Sequence, residues 1–178
     1  MREELLEIYS SSGKKTGKKA TKSYIHKKGL FHATVHVWIF SEKGNVLIQK
    51  RSTKKKLNPG VWDVSVAGHI GYKEDIKAAA IRETFEETNT KVEMGELYAI
   101  FNVPQINQVY MLYLAEVIKD DFSATSESLD VKLFNEKEIP WDELAFPFVP
   151  IVLRKFFSDH IKGDYPLSTH TIERKRQP

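Results

Sequence analysis

The segment spanning residues 68–90 constrains the fold of this chain more than any other part of the sequence. It holds no proline and follows turn residues, so the sequence predicts a helix over about residues 75–89. At about 100° per residue, three glutamates fall within about 100° of arc, and three apolar residues share that face one or two turns earlier. The glutamates are Glu83, Glu86 and Glu87, and the apolar residues are Ile76, Ala79 and Ala80. Carboxylates are therefore predicted on the packed side of the helix.

Clustered carboxylates on a packed face repel one another and take up protons unless a cation neutralises them. Hard oxygen ligands of this kind suit Mg²⁺ or Mn²⁺, and such an ion can bridge phosphate oxygens and lower the pKa of a bound water. This pattern favours a metal-dependent hydrolase of phosphoric anhydrides. An exposed acidic helix, with Arg82 and Lys77 as intrahelical partners, has the same spacing, and helix geometry alone does not decide between the two.

Length and composition limit the remaining possibilities. The 178 residues suit one domain, and the 41% hydrophobic fraction is that of a globular protein. The absence of cysteine excludes disulfides, thiolate zinc sites and thiol nucleophiles. Apolar runs such as residues 35–40 are too short to cross a bilayer, and the N-terminus does not resemble a signal peptide. We expect a cytoplasmic protein without membrane association.

Hydrophobic periodicity and turn residues predict the order of elements along the chain. A first strand over residues 4–9 and a short segment over 24–28 predict a hairpin-like extension within residues 1–28, and residues 31–40 and 46–50 predict a second hairpin. We expect one domain over residues 1–162, followed by a loosely attached polar tail over 163–178. The other predicted elements are extended segments over 61–67, 91–103, 108–117 and 130–134, a polar loop over 119–128 and a closing helix over 148–160.

Lysines crowd into residues 14–28 and 54–56, although the net charge is only +3. Because no aromatic interleaving or RNA-binding motif accompanies them, we interpret them as solvated loops and do not expect nucleic acid as a partner. Exposed strands in the N-terminal segment could pair two subunits in a homodimer.

Residues 68–90 resemble the Nudix box, G-x5-E-x7-R-E-U-x-E-E-x-G-U, where U is aliphatic. The six fixed positions that match are Gly68, Glu74, Arg82, Glu83, Glu86 and Glu87. Asn89 replaces the last glycine, which is tolerable because asparagine also adopts the left-handed conformation, and Thr84 and Thr90 replace aliphatic residues. The resemblance extends over about residues 29–134.

This resemblance implies an α/β fold, an α/β/α sandwich with a curved mixed β-sheet. It also implies a metal held by Glu83, Glu86, Glu87 and the Gly68 carbonyl, with Arg82 orienting the carboxylates and Glu74 as its partner. The candidates for the general base are Glu83, Glu87 and Glu127, and we favour the helix.

The candidates for substrate binding are Arg51, Lys50, Trp62 and Glu127. Arg51 and Lys50 are able to hold a phosphate, although a cation at a strand end is otherwise simply solvated. Aromatic residues are able to stack on a base, although large aromatics are more often part of the core. The stacking candidates are Trp62, Phe40 and Tyr72.

A second resemblance is to type I isopentenyl-diphosphate isomerase, which shares the Nudix fold. It is carried by Thr16-Gly17, His26, residues 29–32 and residues 62–69. It implies an alternative metal site at His26, His32 and His69, although we favour ordinary hydrogen bonding for these histidines. Ala67 stands where the isomerase has its catalytic cysteine, and residues 106–108, Ile-Asn-Gln, stand where it has paired glutamates. Neither alanine nor glutamine can shuttle the proton.

The sequence therefore favours hydrolysis of a diphosphate bond in a small phosphorylated molecule, a nucleotide or nucleoside diphosphate derivative, with Mg²⁺ or Mn²⁺ as cofactor. The alternatives are an isomerase-like enzyme and a non-catalytic module that binds nucleotides or RNA.

Overall fold

The computed structural model describes residues 3–119 and 121–172, in which ten strands and three α-helices are present. None of the helices in these two ranges is long and apolar enough to span a membrane. The strands are β1 (Leu5–Tyr9), β2 (Lys15–Thr21), β3 (His32–Phe40), β4 (Val46–Arg51), β5 (Trp62–Asp63), β6 (Val66–His69), β7 (Val92–Val103), β8 (Gln108–Val117), β9 (Ser128–Phe134) and β10 (Ser168–Thr171). The helices are α1 (Lys22–Lys28), α2 (Ile76–Thr88) and α3 (Phe148–Lys162), with single 3-10 turns at Pro104–Ile106, Glu136–Glu138 and Trp141–Glu143.

The main sheet is mixed and has β3 near its centre. Its strand order is β10-β7-β8-β3-β4-β5, with β6 also paired to β3 and β9 to β4. Strand β3 runs parallel to β8 along its whole length, from His32 opposite Gln108 to Phe40 opposite Glu116. The predicted hairpin of β3 and β4 forms, but only two residues of each strand pair, at Ile39 and Phe40 of β3. The remainder of β3 is left free to pair with β6.

The side chains of β3 alternate between two cores, as expected for a strand covered on both faces. Val35, Val37 and Ile39 pack with Ala79 and Ala80 of α2. Trp38 faces the opposite side, where Val149, Val152, Leu153 and Phe156 of α3 form the second core. A mixed sheet between helix layers confirms the expected α/β/α sandwich.

The N-terminal hairpin forms, but its second strand is not where the sequence predicted it. Strand β1 pairs with β2, a lysine-rich segment, and not with residues 24–28, which belong to α1. The Thr21 side chain caps the start of α1 by accepting from the Tyr24 amide, and Gly29 ends the helix with a φ of 60°. The lysines of residues 15–28 therefore lie on a strand and a helix, not in the predicted loop.

The C-terminal segment is attached more firmly than the sequence indicated. Helix α3 extends to Lys162, and Ser168–Thr171 then pairs in parallel with Ala99–Asn102 of β7 at the sheet edge. The expectation of a loosely attached tail from residue 163 was thus wrong for residues 168–171, because backbone hydrogen bonds hold this polar segment. Residues 173–178 lie outside the described ranges.

Candidate active site

A cleft of about 780 Å³ opens between the inner face of α2, the end of β6 and the N-terminal hairpin. All six matched positions of the sequence motif line it. The lining residues are Glu4, Lys22, Arg51, Lys55, Lys56, Leu57, Ala67, Gly68, His69, Gly71, Tyr72, Glu74, Arg82, Glu83, Glu86, Glu87 and Glu127.

Helix α2 carries the acidic residues into this cleft. Asp75 caps its first turn by accepting from the Lys77 and Ala78 amides, and Asn89 ends it in the left-handed conformation at a φ of 52°, as predicted. Thr84 tolerates its buried position because its hydroxyl donates to the Ala80 carbonyl at 2.7 Å. These caps, together with the packing of Ala79 and Ala80 against the sheet, hold α2 in place.

Among the carboxylates that line the cleft, Glu87 is the most removed from solvent, with 4% of its surface exposed. Its Oε2 accepts from Gln49 Nε2 at 2.6 Å and from the Ala67 amide at 3.1 Å, while Lys55 Nζ lies 3.9 Å from Oε1. Burial raises the pKa of Glu87 to about 7, against the lowering effect of these partners. An exposed acidic helix therefore does not describe α2.

Arg82 connects the other carboxylates of the cleft. Its Nε and Nη2 donate to the two oxygens of Glu74, both at 2.8 Å, and Nη1 donates to Glu83 at 2.8 Å and Glu86 at 3.2 Å. Nη2 also donates to the His69 carbonyl at 3.1 Å. These bonds lower the pKa of Glu74, whereas burial raises that of Glu83. The expected Arg82–Glu74 pair is thus present as a bidentate fork.

Gly68 allows the carboxylate of Glu83 to approach the backbone. A Cβ atom built on Gly68 would overlap the Glu83 carboxyl carbon, so even alanine does not fit without moving that side chain. The glycine therefore brings a backbone segment and a carboxylate into contact, the combination of oxygen donors that hard divalent cations prefer.

The donor set around Gly68 fits a divalent cation. Glu83 and Glu86 already share one cationic partner, Nη1 of Arg82, and Glu87 lines the same cleft. Glu87 is buried, Glu83 is half-buried and Glu86 is exposed, and a divalent cation would add to the positive charge that Arg82 and Lys55 supply to these carboxylates.

The three histidines predicted as an alternative metal site lie together. His26 Nε2 is 3.1 Å from His69 Nε2, and one ligand atom from each of His26, His32 and His69 lies within 4.8 Å of the others. Burial lowers the pKa of all three, that of His69 to about 2, so the rings are neutral. His32 Nε2 lies 2.7 Å from Gln108 Nε2, and its Nδ1 lies 2.8 Å from the Leu30 carbonyl. The three histidines are thus within hydrogen-bonding distance of one another or of other groups, and their ligand atoms are also close enough together to hold a metal ion.

Four predicted substrate contacts divide between the cleft and the core. Arg51 and Glu127 line the cleft, where Arg51 pairs with Asp63 at 2.6 Å and Glu127 with Lys55 at 2.8 Å. Lys50 and Trp62 are not among the residues lining it: Trp62 is 7% exposed and packs against Phe134, and the Lys50 ammonium lies over the Trp62 ring. The other two candidates for stacking on a base lie in different places: Tyr72 lines the cleft, whereas Phe40 packs against the core beneath α3.

Four charged residues of the cleft were not anticipated from the sequence. Lys22 of α1 and the pair Lys55 and Lys56 after β4 supply positive charge, and Glu4 comes from the start of the chain. The three lysines belong to the basic runs, but nothing in those runs distinguishes them from their neighbours. Only the docking of the N-terminal hairpin against the segment after β6, where Tyr72 N donates to the Leu5 carbonyl, brings Lys22 and Glu4 to the site.

Comparison with known proteins agrees with this geometry. The NUDIX domain model matches residues 30–156. Nudix hydrolase 3 of Arabidopsis thaliana is 39% identical over 102 residues, which are 57% of this chain and 13% of that protein. Isopentenyl-diphosphate Delta-isomerase 2 of Photorhabdus laumondii is 41% identical over 68 residues, 38% of each protein. The chain thus spans well under half the length of these two relatives.

Among solved structures, a NUDIX hydrolase from Nitrosomonas europaea superposes with a TM-score of 0.75 at 35% identity, over 80% of this chain and 79% of that one. The fold is therefore shared with this hydrolase, and the partial similarity to an isomerase agrees with an isomerase-like branch. Because the domain model covers more than half of the sequence, the chain belongs to the Nudix hydrolase family.

Proposed function

We propose that the protein hydrolyses a phosphoanhydride bond in a nucleoside diphosphate derivative by water attack, with Mg²⁺ or Mn²⁺ held by Glu83, Glu86, Glu87 and the Gly68 carbonyl. The observation that carries this proposal is a carboxylate, Glu87, buried on the inner face of α2 and directed into the same cleft as Glu83 and Glu86. A buried acid of this kind is costly as a structural element, and its cost is offset when a cation binds beside it.

The bound metal would supply charge neutralisation at the phosphates and acidify a water molecule. Arg82 positions Glu83 and Glu86 through Nη1, while the Glu74 fork fixes the guanidinium. We favour a glutamate of α2, Glu87, as the acceptor for the proton of the attacking water, because it is the most buried carboxylate that lines the cleft. Glu83 and Glu127 remain alternatives.

Cations that line the cleft would bind the substrate phosphates. They are Arg51, Lys55 and Lys22. Each is already partly neutralised, Arg51 by Asp63, Lys55 by Glu127 and Lys22 by Glu4. A diphosphate that replaces the Glu127 contact would gain a charge-assisted hydrogen bond from Lys55.

The test is release of phosphate from a panel of nucleotides, nucleotide sugars, dinucleotides and coenzyme A, with and without Mg²⁺ and added pyrophosphatase. We expect metal-dependent release that is lost in the Glu86→Gln, Glu87→Gln double variant. Glu93→Gln, an exposed glutamate of β7, is the matched control and should retain activity. Activity that survives the double variant would refute the proposal, and silence across the panel with RNA binding at low salt would favour a non-catalytic module.

Isomerisation of isopentenyl diphosphate is the second candidate, and the proximity of His26, His32 and His69 is the observation that favours it. A metal at these neutral imidazoles would lie next to the phosphate cleft, because His69 lines both. Ala67 and Gln108 offer no group for proton transfer at the positions implied by the isomerase resemblance. Isomer exchange that is lost in His69→Ala and retained in Glu86→Gln would establish this candidate, and absence of exchange in the parent protein would exclude it.

A further inference from the structure

A smaller cavity adjoins the cleft on the α3 side of the sheet. Its volume is about 130 Å³, and it shares Arg51, Ala67, Gly68 and His69 with the cleft. A ligand whose phosphates lie among the cations of the cleft can therefore extend past Gly68 into this second space. The proposed hydrolysis makes no use of the cavity.

Aromatic rings form much of the wall and limit what fits. Phe146 and Phe148 lie with their ring centroids 5.9 Å apart, and the Tyr110 ring lies 5.6 Å from that of Phe148. An apolar cavity of about 150 Å³ is enough to enclose benzene, so this one takes a group of about six non-hydrogen atoms. The fused rings of a purine exceed that size.

One polar side chain in this wall is incompletely satisfied. His36 is 6% exposed, and its Nε2 lies 3.3 Å from the Thr34 hydroxyl. Among residues 3–119 and 121–172, its Nδ1 has no hydrogen-bond partner. Burial lowers the pKa of His36 to about 3, so the ring is neutral and offers one N–H and one acceptor nitrogen. A buried polar atom without a partner is costly, which favours a ligand that supplies one.

We propose that the cavity binds a compact organic group attached to the substrate diphosphate, and that His36 selects a group carrying a hydroxyl or amide by hydrogen bonding to it. His36 is itself among the residues that line the cavity. The nucleoside end of the substrate then occupies the broad cleft, and the compact group occupies the cavity. This inference rests on the proposed function, because it takes the cleft as the diphosphate site.

The test uses diphosphonates with a methylene bridge, which cannot be hydrolysed, so binding is measured apart from catalysis. Calorimetry with Mg²⁺ would compare methylenediphosphonate itself, its pentyl ester and its 4-hydroxypentyl ester. In the parent protein the hydroxyl should tighten binding about fivefold, the value of one net hydrogen bond. In His36→Phe, which keeps an aromatic ring in the wall, that gain should disappear while methylenediphosphonate binds as before.

His160→Phe is the matched control, because His160 packs on Phe156 of α3 and is not among the residues lining the cavity. It should retain the fivefold gain. Equal binding of the two esters by the parent protein would overturn the inference while leaving the proposed function intact. Failure of methylenediphosphonate to bind at all would refute the diphosphate cleft, and the inference with it.

If His36→Phe does not fold, the parent protein answers the same question by nuclear magnetic resonance. The imidazole nitrogen signals of His36 should shift on addition of the 4-hydroxypentyl ester and stay unchanged with methylenediphosphonate. Unchanged signals with both compounds would overturn the inference.

Discussion

Glu87→Gln should raise the stability of the metal-free protein, and the gain should grow with pH. Burial raises the pKa of Glu87 to about 7 from the 4.5 of a solvated glutamate. The folded state therefore holds this proton more tightly than the unfolded state does. The stability contributed by protonation is fully present below a pH of about 4.5 and is lost as the pH rises through about 7.

The size of the effect follows from these two pKa values. Between about pH 5.5 and about pH 8 the parent loses about 2 kcal/mol through this one group. Glutamine does not titrate, and its amide oxygen can still accept from Gln49 and the Ala67 amide. For a domain of this size, the difference in Tm between variant and parent should widen by about 6 °C over that pH range.

Thermal unfolding followed by circular dichroism in the presence of EDTA measures this difference. The histidines of the unfolded chain titrate in the same range, but they are common to both proteins and cancel in the comparison. Glu93→Gln, exposed on β7, should give a difference that does not change with pH. Added Mg²⁺ should raise the Tm of the parent at about pH 8 more than that of Glu87→Gln. A Tm difference that stays flat from pH 5.5 to 8 would show that Glu87 is not a destabilising buried carboxylate.

Three further substitutions test separate parts of the structure. Gly68→Ala should lower the rate of hydrolysis at least about tenfold, because the added Cβ displaces the Glu83 carboxylate. Circular dichroism should show that this variant is still folded, and an unchanged kcat would contradict the contact. Arg82→Lys should also lower kcat about tenfold, since an ammonium cannot reproduce the guanidinium fork, and parent-like kcat would show that the fork is dispensable. Tyr98→Phe should lower the free energy of unfolding by about 1 kcal/mol through loss of the hydrogen bond to Asp159, without affecting hydrolysis. An unchanged free energy of unfolding, measured by denaturant titration, would contradict this prediction.

Sequence reasoning predicted which side chains lie together where their relative placement depends on local geometry. The spacing of Glu83, Glu86 and Glu87 fixes their common helix face, and the structure places all three in one cleft with Gly68. The alternation of side chains along β4 could have corrected the prediction that Lys50 and Arg51 both contact the substrate. Lys50 and Arg51 are adjacent, so only one of the two can face the cleft, and it is Arg51.

Elements held only by backbone pairing were not predictable in this way. Five of the seven residues of β2 are exposed, and no apolar alternation marks Lys15–Thr21 as a strand. Ser168–Thr171 is likewise short and polar, and it pairs with a strand about seventy residues earlier in the chain. The contribution of Lys22 to the cleft depends on the first of these elements, which explains why the sequence did not reveal it.

The hydrogen bonds of Arg82 suggest how the cleft accommodates a cation without losing its order. Nη1 alone contacts Glu83 and Glu86, whereas Nε and Nη2 are committed to Glu74 and the His69 carbonyl. If Glu83 and Glu86 hold a divalent ion as proposed, only the Nη1 bonds would have to be exchanged. The Glu74 fork would stay in place and keep a positive charge beside the acidic cluster. Glu74 would therefore stabilise the arginine with and without the ion, which is a physical reason for a fourth carboxylate beside the three proposed ligands.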